Sequence, residues 1–129
     1  MLNLSELVRI YVCLAPTDMR KSFDTLAALV REGLGYDPLS GHLFVFRSRR
    51  GDRIKLLWWD RDGLTLYYRR LEQGTFRFPT DPRSGCPDDP QLRSIEVSSQ
   101  ELSLMLWGID PASVKRHTRY KRASAWHVE

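Results

Sequence analysis

The sequence predicts an α+β fold: an antiparallel sheet of about five to six strands in meander order, two amphipathic helices packed on it, and a basic C-terminal tail. Three observations carry the prediction. Apolar-rich runs between residues 42 and 78 are separated by tight polar turns, and strands joined so closely pair antiparallel. Two other segments, near residues 19–34 and 99–107, space their apolar residues by three and four, the period of a helix face. The chain has 129 residues, 42% of them hydrophobic, which suits one domain with one core. That domain is placed at residues 1–109, with a flexible loop at 80–91, and the tail at 110–129.

The first strand is read in RIYVCLA, Arg9 to Ala15, where both alternating sets are largely apolar, as in a strand covered on both faces. Pro16 ends it. In PTDMRKSFDTLAALVREGLG the stripe Met19, Phe23, Leu26, Ala27, Val30 and Leu34 marks a helix, with Thr17 or Asp18 as cap and Gly33 and Gly35 as stop. After the turn YDPLSG comes HLFVFRSR, a strand of about six residues. The polar turn Arg49–Asp52 leads into RIKLLWWD. Asp60-Arg61-Asp62-Gly63 fits a type I turn with a glycine bulge, and LTLYYRRL returns. TFRFP forms a short strand with Phe76 and Phe78 on one face, and RSIEV another with Ile95 and Val97 inward. Ser98 or Ser99 caps SQELSLMLWG, with Glu101 placed for a capping box and Gly108 as terminator. One face of the meander must be covered, and the two helices can cover it.

Composition excludes several classes of function. No run approaches the roughly 18–20 apolar residues of a membrane span. Glu6 and Arg9 interrupt the N-terminal apolar stretch, so a signal peptide is not expected and the cytoplasm is the default location. Two cysteines, Cys13 and Cys86, are too few for a disulfide scaffold and are expected as thiols. His42, His117 and His127 lie in no metal-ligand spacing, so neither a metal nor a cofactor is expected. Asp60 and Asp62 sit in a tight turn where Asp is expected for backbone reasons, and no serine lies in a nucleophile pattern. The expectation is therefore a protein without catalytic residues, not an enzyme.

The formal net charge is +4, and its distribution matters more than its size. One basic cluster comprises Arg47, Arg49, Arg50, Arg53, Lys55, Arg61, Arg69, Arg70 and Arg77; a second comprises Lys115, Arg116, Arg119, Lys121 and Arg122. Such clusters fit a polyanionic partner or simply a well-solvated surface. KLLWWDRDGLTLYYRR lies inside the first cluster. Strand alternation puts Ile54, Leu56 and Trp58 on one face, and Lys55, Leu57 and Trp59 on the other. With the return strand assigned as Leu64, Leu66 and Tyr68 against Thr65, Tyr67 and Arg69, one face is apolar and one is mixed. On the mixed face Trp59 and Tyr67 form either a cross-strand aromatic pair under a helix or a stacking platform for single-stranded nucleic acid. The arginines at the hairpin ends could meet phosphates in either case.

PTDMRKSFDTLAALV, HLFVFRSRRGDRIKLLWWDRDGLTLYYRRLEQGTFRFP and LMLWGID resemble, in order and spacing, the TnpB accessory proteins (Orf2-like) of the bacterial insertion-sequence family numbered sixty-six. The resemblance covers about Ile10 to Asp110. Its charged positions are Asp18, Arg20, Lys21, Asp24, Arg47, Arg50, Lys55, Asp60 and Arg70. It implies a small protein that works beside a large transposase, with no catalytic residue to carry over. The partners it implies are DNA, at transposon ends or target, and that transposase; no membrane is expected. Two expectations follow: DNA binding through the two basic clusters, or docking on the transposase without DNA. At the first helix start, Asp18 or Asp24 could pair with Arg20 or Lys21, or the segment could form a docking or phosphate-binding edge.

Overall fold

The structure, a computed structural model, describes residues 7–79 and 93–108. The expected loop at 80–91 and the basic tail lie outside the described residues, as do Cys86 and the tail cations Lys115, Arg116, Arg119, Lys121 and Arg122.

Five strands form one sheet: β1 (Ile10–Cys13), β2 (Leu43–Arg47), β3 (Arg53–Asp60), β4 (Gly63–Arg70) and β5 (Ser94–Val97). Their order is β4-β3-β2-β1-β5. Helix α1 (Phe23–Ala28) lies between β1 and β2, and α2 (Ser99–Trp107) follows β5, so the class is α+β. The meander holds only for β2-β3-β4. β1 pairs with β2 in parallel and with β5 antiparallel, which makes the sheet mixed. The parallel pair arises because the β1–β2 connection carries a helix, and a crossover of that length returns the chain to the same end of the sheet. TFRFP is not a strand. Phe76 and Phe78 nevertheless face the same core, with ring centroids 6.2 Å apart.

The two helices cover opposite faces of the sheet, not one. On one face Leu102 and Met105 of α2 pack on Ile10, Val12, Leu43, Val45, Ile54 and Leu56. On the other, Leu26 and Ala27 of α1 and the following Val30 pack on Cys13, Phe44, Phe46 and Leu57. This explains why β1 and β2 read as continuous apolar runs: both of their alternating sets are buried.

α1 starts later than its stripe implies. Thr17 to Lys21 is irregular; Ser22 is the cap, and its backbone N–H donates to the Thr25 hydroxyl at 2.9 Å. Phe23 is consequently exposed. Beyond Ala28 the helix widens into a π-helical segment, Leu29–Leu34, closed by Gly35 at φ 77°. α2 follows its sequence signals. Glu101 N–H donates to Ser98 Oγ at 3.0 Å, Ser98 N–H donates to Glu101 Oε1 at 2.8 Å, and Gly108 caps the end at φ 76°.

The β3–β4 turn corrects the expected faces. Asp60 pairs with Gly63, leaving only Arg61 and Asp62 in the loop, with no bulge residue. A one-residue change of register moves every side chain of a strand to the other face. Trp59 therefore pairs with Leu64 and Tyr67 with Leu56. Leu64 and Leu66 join Leu57 under α1, while Thr65, Tyr67 and Arg69 share the Ile54 face. Trp59 and Tyr67 lie on opposite faces, so they form neither an aromatic pair nor a shared stacking platform. The tight turn places Arg61 at φ 58°, a left-handed conformation that glycine adopts without penalty. Arg61→Gly should raise stability by about 0.5–1 kcal/mol, the relief of strain exceeding the added chain entropy. Urea denaturation would measure it, and a loss of stability would refute the strain.

Candidate nucleic-acid interface

The antiparallel ladder gathers five of the candidate cations at one end of the sheet. Arg49 and Arg50 occupy the β2–β3 turn. Arg53 opens β3 directly opposite Arg70 at the end of β4, and Arg69, opposite Ile54, reaches out on the other face. Like charges directly across a ladder oppose folding, so the sheet gains nothing from the Arg53–Arg70 pairing. Arg70 offsets part of its charge with Glu72, Nε to Oε2 at 3.1 Å, and Arg53 Nη1 donates to the Tyr68 hydroxyl at 3.4 Å. Arg49, Arg50 and Arg69 are exposed, and their side chains make no hydrogen bond or ion pair with the described residues.

Two candidates serve the fold instead. Lys55 is only 5% exposed. Its ammonium donates to the carbonyls of Met19 at 2.8 Å and Lys21 at 2.5 Å, and lies 4.6 Å from the Tyr68 ring centroid. It ties the segment before α1 to the sheet. The Arg47 guanidinium donates twice to the Leu14 carbonyl, at 3.2 and 2.9 Å, and lies over Phe78. Burial lowers its pKa from the usual guanidinium value. Lys55 is thereby buried against its own backbone partners, while Arg47 stays half-buried with two of its guanidinium nitrogens engaged. Arg61 is exposed but sits at the far tip of the hairpin, about 25 Å from Arg53 by strand rise.

The β2–β3 turn that carries Arg49 and Arg50 is held firmly. Ser48, itself buried, accepts from Arg53 N–H at 3.0 Å and donates its hydroxyl to Asp52 Oδ1 at 3.1 Å. Gly51 takes φ 79°, its N–H donates to the Ser48 carbonyl, and its own carbonyl accepts from Phe76 N–H at 2.8 Å. A side chain at Gly51 would meet this strained φ with Thr75 close by. Because β1 runs parallel to β2, the chain leaving β1 passes beside this turn, with Thr17 N–H donating to the Arg47 carbonyl at 2.8 Å. A cleft of about 440 Å³ lies between them, lined by Pro16, Thr17, Asp18, Met19, Ser48, Arg49, Arg50, Asp52 and Arg53. Sequence reasoning missed Pro16, Thr17, Met19 and Ser48 as neighbours of the arginines. The one available signal was that both strand ends, LAPTDM and FRSRRGD, are polar loops following apolar strands.

Asp18 belongs to that wall and realises the salt-bridge reading of the helix start. It accepts from the Arg20 guanidinium, with Nη2 to Oδ2 at 2.7 Å, and from the Arg20 backbone N–H at 2.9 Å. Those bonds, the side-chain ones first, hold its carboxyl at about 2 against an ordinary 3.8. The folded value is below the unfolded one. The pair's stabilising contribution is therefore complete above pH 3.8 and disappears as pH falls through about 2. Carboxyl-carbon NMR should give a midpoint near 2, moving toward 3.8 in Arg20→Ala; an unchanged midpoint in that variant would refute the assignment.

Other titratable groups have structural explanations. Cys13 is a free thiol, and burial pushes its pKa up. His42 Nδ1 accepts from Arg9 N–H at 3.0 Å. Among the described residues no three His, Cys, Asp or Glu side chains are grouped to hold a metal ion, and no helix is long and apolar enough to cross a membrane.

Residues 8–116 match the family described as IS66 Orf2 like protein. The chain is 38% identical over 110 residues to "Uncharacterized protein y4hO" of Sinorhizobium fredii, covering 85% of this chain and 88% of that protein. It is 37% identical over 116 residues to "Uncharacterized protein y4jC" of the same organism, covering 90% and 92% respectively. No solved structure matches it. With most of its length inside the family match, the chain belongs to the IS66 Orf2-like family of insertion-sequence proteins, a membership that suggests an accessory role in transposition.

Proposed function

We propose that this protein is a non-catalytic accessory factor of transposition that holds DNA, through its phosphates, close to the element's transposase. One observation carries the reading: Arg49 and Arg50, without a side-chain partner among the described residues, project from a hydrogen-bonded turn, beside the opposed Arg53 and Arg70. Concentrated positive charge that the fold does not use is what a phosphate-contacting surface requires, and a rigid turn reduces the ordering cost of binding. Arg69 extends the contact around the edge, and the tail cations Lys115, Arg116, Arg119, Lys121 and Arg122 supply a second one. The cytoplasm is the compartment where such a factor would meet DNA.

Fluorescence anisotropy with labelled single- and double-stranded DNA, at low and physiological salt, tests this reading. Affinity should fall steeply with salt. Comparison with a chain ending at Gly108 separates the sheet's share from the tail's. Binding that does not change with salt, or no binding, would refute DNA contact.

A second reading, docking on the transposase without DNA, has one observation in its favour. β4 is an eight-residue strand at the edge of the sheet, with Tyr67 and Tyr68 exposed along it. Such an edge can accept a strand from a partner. Co-purification with the transposase after nuclease treatment, together with no DNA binding, would favour this reading over the first.

A further inference from the structure

We infer that the cleft between Pro16–Met19 and the β2–β3 turn takes the phosphorylated end of a DNA strand, with Arg49 and Arg50 on the terminal phosphate and Pro16 and Met19 against the terminal nucleoside. The inference rests on the DNA-binding reading above and narrows it to one ligand group.

Size, charge and rigidity support it together. At about 440 Å³ the cleft falls within the roughly 300–1,000 Å³ typical of small-ligand sites, larger than a phosphate alone needs. An internal phosphate can be met on open surface by a cation such as Arg69, without a walled site. A walled site suits a chain that ends there.

The charges agree with this. A phosphomonoester carries between one and two negative charges and three acceptor oxygens near neutral pH, whereas an internal diester carries one charge and two free oxygens. Two guanidiniums lining one cleft, without partners among the described residues and each a fork of five donors, match the monoester better. The acids on the wall are both occupied: Asp18 by three bonds to the Arg20 side chain and one to its backbone, and Asp52 by the Ser48 hydroxyl. Their repulsion toward a phosphate is thereby reduced. Pro16 and Met19 supply apolar surface for a sugar or base. The walls are fixed before any ligand arrives, by Thr17 N–H on the Arg47 carbonyl and by Lys55 on the Met19 carbonyl.

The cleft also lies beyond the carboxyl ends of the two parallel strands, β1 and β2.

The experiment uses the full chain and one oligonucleotide, labelled at its 3′ end, carrying either a 5′-phosphate or a 5′-hydroxyl. At physiological salt the phosphorylated form should bind about tenfold more tightly. The preference should vanish in Arg50→Ala and in Arg49→Ala, whose exposed side chains hold nothing in the fold. Displacement of the oligonucleotide by equimolar deoxyadenosine monophosphate would support the pocket and make the free nucleotide its source. Displacement as effective by inorganic phosphate alone would overturn the nucleoside contact. Equal affinity for the two ends would overturn the inference while leaving general phosphate binding intact. A preference that survives both arginine variants would overturn the residue assignment. No binding of either oligonucleotide would defeat the underlying DNA reading itself.

Discussion

Lys55→Met should destabilise the domain by about 2–4 kcal/mol, although it replaces a charged residue by an apolar one of similar length in a largely buried strand. The reason lies in what the ammonium touches. It satisfies the carbonyls of Met19 and Lys21, in an irregular segment with one turn bond of its own, Lys21 N–H to the Asp18 carbonyl. Methionine would leave both acceptors without their donor, at about 1 kcal/mol each, the low end for an unsatisfied group because Met19 and Lys21 are only half-buried. It would also lose the ammonium–ring contact with Tyr68, worth about 0.5–1 kcal/mol at a partly exposed ring. Arginine should not restore the loss, since a planar fork cannot enter the space of a compact ammonium. Equilibrium urea denaturation measures the effect; a loss below about 0.5 kcal/mol would show that water replaces the ammonium freely. In DNA binding, the folded Lys55→Met protein should keep the salt dependence of the original chain, because Lys55 contributes no phosphate contact.

The double variant Arg49→Ala, Arg50→Ala should behave in the opposite way. Its stability should be unchanged within about 0.5 kcal/mol, since both side chains are exposed and make no contact that the fold uses. Its affinity for DNA should fall roughly thirtyfold at physiological salt, about 1 kcal/mol for each lost phosphate contact. The slope of log affinity against log salt should become shallower by about 0.9 where both arginines meet one terminal phosphate, and by about 1.8 where they meet two. Titrations at several salt concentrations provide the measurement. Weaker binding with an unchanged slope would mean that the arginines do not contact phosphates. Unchanged affinity would shift the DNA contact to the tail cations, outside the described residues. The Lys55 and arginine variants thus separate two uses of positive charge that look alike in the sequence.

That likeness marks the limit of what the sequence conveys. Local chemistry was legible. The Ser98–Glu101 capping box, the glycine stop at Gly108 and the alternation of β1 and β3 are short-range patterns, and each is present in the fold. The family, too, could be recognised from motif order alone. The faces of β4 were not legible, because they depend on whether the turn at Asp60–Gly63 holds two residues or a bulge. That choice is fixed by the packing of Leu64 and Leu66 under α1, and it separates Trp59 from Tyr67.

By itself, then, the sequence determined the types and order of the five strands and two helices, which follow from residue spacing and turn chemistry, though not the irregular TFRFP or the late start of α1. Tertiary structure alone decided that the helices cover opposite faces, that β1 runs parallel to β2, and that Arg47 and Lys55 turn inward while Arg49 and Arg50 stay free. The physical reason is the same throughout. A cation's role depends on which acceptors come within about 3 Å of it. Those acceptors, Leu14, Met19 and Lys21, lie more than thirty residues away along the chain.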